Sequence, residues 1–118
     1  MIRFNYRGFH GCPSLCGLHV ELLPDGRTLV ICTELSDNSG TSVTNFAEEL
    51  ATLVCGRFGV APDRLVWIEH YPASPVHGPE PDWDLVEFTW DGARFQDPNW
   101  RPMRPQDWKQ LGIAAPDA

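Results

Sequence analysis

A chain of 118 residues that is 42% hydrophobic, with five Trp and six Phe, has material for one core and too many apolar groups for disorder. Its formal net charge of −7 is concentrated in residues 34–91, where eleven carboxylates face only Arg57 and Arg64; with no basic stripe, direct nucleic-acid binding is disfavoured, and a basic protein partner suits such a surface. No apolar run reaches the ~20 residues of a membrane helix, and the opening MIRFNYRGFHG lacks a basic-then-apolar export layout, so one cytoplasmic domain over 1–118 is expected.

Ile2, Phe4 and Tyr6 alternate with Arg3, Asn5 and Arg7, the period of a half-buried strand. The loop GFHGCPSLCG follows, and then Leu18, Val20 and Leu22 alternate with His19 and Glu21. Pro24-Asp25-Gly26 is a turn signal, so residues 18–34 read as a β-hairpin. Its second strand contains LVIC, apolar on both faces as in a central strand.

The polar stretch SDNSGTSVTN leads into a helix near 42–57, where Val43, Phe46, Ala47, Leu50, Val54 and Phe58 form an apolar stripe. Asn45 and Glu48 have capping-box spacing, Gly56 or Gly59 supplies the stop, and Pro62 prevents continuation. Residues 65–71 and 82–90 are two further strands, separated by the Pro-rich loop PASPVHGPEPD. A hairpin-like turn at Trp90-Asp91-Gly92-Ala93 leads to an irregular tail, PNWRPMRPQDWKQLG, that ends in one short helix with Pro105 in its first turn.

These elements predict an α+β fold: an antiparallel sheet of four or five strands, one main helix on one face, and an irregular Trp/Pro-rich C-terminal tail. One helix covers one face, leaving the other for the tail or a partner, including a second copy in a homodimer. Trp67, Glu69 and Tyr71 share a face of their strand, opposite Val66, Ile68 and His70. The set lying opposite the helix is a candidate contact surface.

Four constellations bear on chemistry. His10, Cys12, Cys16 and His19 are metal-ligating types within ten residues. They lack the paired-cysteine spacing of a zinc finger, so no metal or cofactor is assigned, and Cys32 and Cys55 read as buried hydrophobes. The 36–45 loop precedes a helix N-terminus, where Gly40, Thr41 and Ser42 are candidate anion-binding residues. It has neither a Walker lysine nor GxGxxG, ordinary capping accounts for its hydroxyls, and Asp37 opposes a phosphate. Glu80, Asp82, Asp84 and Glu87 crowd around Trp83 without calcium-loop spacing, which reads as an acidic rim that attracts a basic partner. Glu69 and His70 lie on opposite faces of a strand and form no relay; no hydrolase or metalloprotease motif is present, so nothing favours an enzyme.

The words LVICTELSDNSGTSVTN, LATLVC, VAPDRLVWIEHYP and WRPM resemble a group of small uncharacterised bacterial proteins of plasmids, phages and integrated elements. The resemblance transfers no activity and no functional residue. It implies a mobile-element setting, in which small acidic proteins often inhibit host defence complexes, as anti-CRISPR proteins do. The expected function is a non-enzymatic protein-binding module, with an acidic inhibitor or accessory protein as its expected form and Trp67, Glu69, Tyr71, Asp82, Trp83, Asp84 and Glu87 as its contact residues. The alternative is a small-ligand, anion- or metal-binding module using the 36–45 loop or the His10 to His19 cluster.

Overall fold

In the computed structural model, residues 1–5, 15–36, 47–73, 75, 78–92 and 94–114 are described. They form β1 (Ile2–Asn5), β2 (Leu15–Leu22), β3 (Thr28–Leu35), α1 (Ala47–Phe58), β4 (Arg64–Tyr71), β5 (Asp82–Trp90), β6 (Phe95–Pro102) and α2 (Pro105–Leu111). The strands lie in one sheet in sequence order. All neighbours are antiparallel except β3 and β4, which are parallel.

The β2–β3 hairpin turns where Pro24-Asp25-Gly26 predicts it. The Leu23 carbonyl accepts from the Gly26 N–H at 2.9 Å, and Gly26 takes φ +70°. The Asp25 carboxylate then accepts from the Arg27 and Thr28 N–H groups and the Thr28 hydroxyl. Those bonds hold its pKa below the ordinary carboxylate value, the Arg27 N–H contributing most.

Two features correct the sequence expectation. Among the described residues the sheet has six strands, because much of the supposed irregular tail is β6. Its Pro98 falls where the register shifts, between Glu87↔Asn99 and Thr89↔Gln96, and an outermost strand tolerates missing ladder donors. The sheet also contains a parallel pair, since a helical crossover returns the chain in the direction in which it left.

Both faces of the sheet are packed. On one, Ile31, Leu65, Trp67, Val86 and Phe88 meet Leu50, Ala51 and Val54 of α1. On the other, Val30, Cys32, Val66, Ile68 and Leu85 meet Ile113, with Trp83, Met103, Trp108 and Leu111 packed against them. The face left open in the one-helix reading is therefore covered over β4 and β5 by α2 and by Ile113 just beyond it. Double-sided burial explains why LVIC and LVWI are apolar runs rather than alternating ones.

Helix α1 crosses the strands. Near its start, Glu48 Oε2 accepts from the Phe95 N–H of β6 at 3.1 Å. At its other end, Phe58 lies beside Ile2, Leu22 and Leu29. It stops in a left-handed glycine: Gly59 has φ +65°, and the Val60 N–H reaches back to the Cys55 carbonyl at 3.1 Å.

Helix α2 ends in the same manner at Gly112 (φ +74°), with the Ile113 N–H donating to the Trp108 carbonyl at 3.2 Å. It begins at Pro105, and the Asp107 carboxylate accepts from the Arg104 N–H at 2.7 Å. None of the described helices is long and apolar enough to cross a membrane.

Candidate functional site

The proposed contact residues do not form one surface. Trp67 and Glu69 are 0% and 1% exposed, on the face beneath α1. They belong to the core side rather than to a face opposite the helix, and are corrected from contact residues to buried ones. The Trp67 indole N–H is buried without a hydrogen-bond partner. Tyr71 is half-buried, and its hydroxyl donates to Glu69 Oε2 at 3.0 Å. Burial, together with the Glu69 and Asp84 carboxylates, pushes the phenol's pKa well above its ordinary value.

The acidic rim is also divided. Strand alternation puts Asp82 and Asp84 on the side of Val86 and Phe88, under α1, and Trp83 and Glu87 on the side of Leu85, toward α2. Glu87 forms an ion pair with Arg64. Asp82 is exposed and accepts from the Trp83 N–H at 2.9 Å. Trp83 sits against the His70 ring (5.4 Å between centroids) and edge-on to Trp108 (5.9 Å), so it anchors α2. Gly40, Thr41 and Ser42 lie outside the described residues, as do His10 and Cys12.

Of the His/Cys cluster, Cys16 and His19 converge on Glu34. Its carboxylate accepts from Arg3 Nη2 at 2.8 Å and lies 3.1 Å from His19 Nε2. The Cys16 thiol is 3.2 Å from the Glu34 carbonyl oxygen and 3.6 Å from Oε1. The Arg3 hydrogen bond is the main reason why the Glu34 carboxyl is held at about 2. Arg3 and Glu34 stand on β1 and β3 with β2 between them, so this cluster clamps the terminal strand to the sheet. Among the described residues, no three His, Cys, Asp or Glu side chains gather so as to hold a metal ion. Burial pushes the Cys32 thiol up to about 12, an inert core sulfur.

A different feature stands out where the last turn of α1 overhangs the sheet edge. Between Phe58 and Val60 on one side and Ile2, Val20, Leu22 and Leu29 on the other runs an apolar groove of about 440 Å³. Ile2 is 62% exposed, Leu22 40% and Phe58 37%. Alongside runs β1, which pairs with β2 and is the outermost strand of the sheet among the described residues. Periodicity places Ile2 and Phe58 on their elements but does not tell in which direction a helix crosses a sheet, so the groove was not legible from the sequence. Compared with known proteins, the chain matches no family model, and no curated protein or solved structure matches it significantly.

Proposed function

We propose that the protein is a non-enzymatic protein-binding module whose partner docks in the groove between β1 and α1. The observation that carries this reading is the gathering of exposed Ile2, Leu22 and Phe58 around one apolar groove beside the outermost strand. Exposed apolar patches with polar surroundings mark interaction sites. A terminal strand offers main-chain donors and acceptors to an added strand, while side-chain pockets supply selectivity.

The net charge of −7 supports a basic partner. Together with the resemblance to mobile-element proteins, it favours an acidic inhibitor or accessory protein over a nucleic-acid binder. Long-range attraction then speeds encounter, and the groove supplies the contact.

The test is capture from a native lysate by the wild-type chain and by Ile2→Lys and Leu22→Lys, both at exposed positions. The expected result is one stoichiometric protein bound by the wild type, weakened by salt, and lost from both variants while their circular dichroism is unchanged. Equal capture by all three chains would remove the groove from consideration.

A further inference from the structure

A second cavity, of about 190 Å³, opens beneath α2 and differs in character from the groove. Arg64 of β4, Glu87 of β5, Arg101 of β6, and Asp107 and Gln110 of α2 line it, over an apolar floor that includes Leu85. Arg64 pairs with Glu87, and Arg101 Nη1 with Asp107 Oδ2 at 2.6 Å. The field of Glu87 also reaches Arg101. The result is a row of alternating charge, two cations and two anions, running from β4 across the sheet to the helix.

These pairs hold β4 to β5 and α2 to the sheet without using every donor they carry. Arg64 engages its carboxylate through Nη2 and Arg101 through Nη1, so further N–H donors of both planar forks remain for another acceptor. Asp107 is 1% exposed, and its Oδ2 already serves Arg101 and the Arg104 N–H. Its Oδ1 is buried with no hydrogen-bond partner. An ionised oxygen in that position calls for a donor, and Asp107 is among the residues that line the cavity.

We propose that this cavity binds a small zwitterion of the amino-acid type. The ligand's carboxylate takes the remaining N–H donors of Arg64 and Arg101, and its ammonium is directed toward the carboxylate of Glu87, in the field of the unsatisfied Asp107. A ligand of one sign only would meet as many like charges as opposite ones, whereas a zwitterion satisfies both halves of the row. The volume admits a small amino acid and is below the roughly 300 Å³ at which drug-sized ligand sites begin. This inference concerns a different surface from the groove and stands or falls separately from it.

The test is a titration of the isotope-labelled full chain with alanine, followed by amide NMR shifts, with acetate and methylammonium as single-charge comparators. Saturable shifts confined to α2, β5, β6 and the start of β4 are expected for alanine, with each comparator binding about tenfold more weakly. Arg64→Gln, at a half-exposed position, is expected to weaken alanine about tenfold while leaving amides elsewhere unmoved. Three results would overturn the proposal. Absence of saturable shifts would mean a cavity that holds water alone. Acetate binding as tightly as alanine would mean an adventitious anion, and undiminished binding by Arg64→Gln would place the ligand elsewhere.

Discussion

Replacing Asp107 by Asn isolates the electrostatic hold on α2, because the side chain keeps its shape while losing its charge. Arg101 and the Arg104 N–H hold this carboxyl at about 2, against an ordinary 3.8. That difference corresponds to about 2.4 kcal/mol at neutral pH, from 1.36 kcal/mol per pKa unit. Arg101 keeps 30% of its side chain exposed, so solvent screening lowers the expected loss for Asp107→Asn to about 1–2 kcal/mol. The folded pKa is depressed, so the contribution is complete above the ordinary value and disappears as pH falls through about 2.

Urea unfolding followed by Trp fluorescence reads this loss directly, since Trp108 on α2 packs against Trp83. With a urea slope of about 1–2 kcal/mol per molar, the midpoint falls by roughly 1 M at neutral pH. The gap between wild type and variant should narrow from about pH 4 downward. An unchanged midpoint at neutral pH, or a gap equally wide at about pH 2.5, would refute the assignment of this stability to the Arg101–Asp107 pair.

Three further outcomes follow from the same structure. Gly59→Ala places a side chain at φ +65° and should cost about 1 kcal/mol, whereas Gly56→Ala inside α1 should gain about 0.5–1 kcal/mol. An added Cβ meets nothing within 4 Å at either site, so equal effects in thermal melts would contradict the backbone reading. Burial lowers the His70 pKa below its ordinary 6.5, so stability falls as pH drops below about 6.5. An NMR titration of the ring with its midpoint at or above that value would count against it. Glu34→Gln removes the charge that Arg3 and His19 share and should speed amide exchange in β1 selectively, with about 1 kcal/mol of global loss given the partial exposure of the cluster. Unaltered exchange at residues 2–5 would mean that the clamp does not hold the strand.

Much of the fold was legible locally. The β2–β3 turn followed from Pro24-Asp25-Gly26, β4 and β5 from branched and aromatic runs, and α1 from its stripe and its glycine stop. The missed strand, β6, contains Pro98 and Pro102, which read as breakers unless the strand is known to lie at an edge. The parallel β3–β4 pair depends on where a crossover lands, which period-two patterning does not encode. One site error was avoidable: alternation already separates Asp82 and Asp84 from Trp83 and Glu87, so the acidic rim could have been recognised as two-sided. The burial of Trp67 and Glu69 was not readable, because it depends on which strand face α1 takes. The groove arises from the crossing direction of α1 and has no local signature.

The most direct measurement of the central claim is site-specific photo-crosslinking in native lysate, with the reactive side chain at position 2 or 22 and, as control, at exposed Trp100 on the opposite edge of the sheet. The groove account predicts one crosslinked protein from positions 2 and 22 and none from position 100. A crosslink from position 100 with nothing from the groove positions would contradict it.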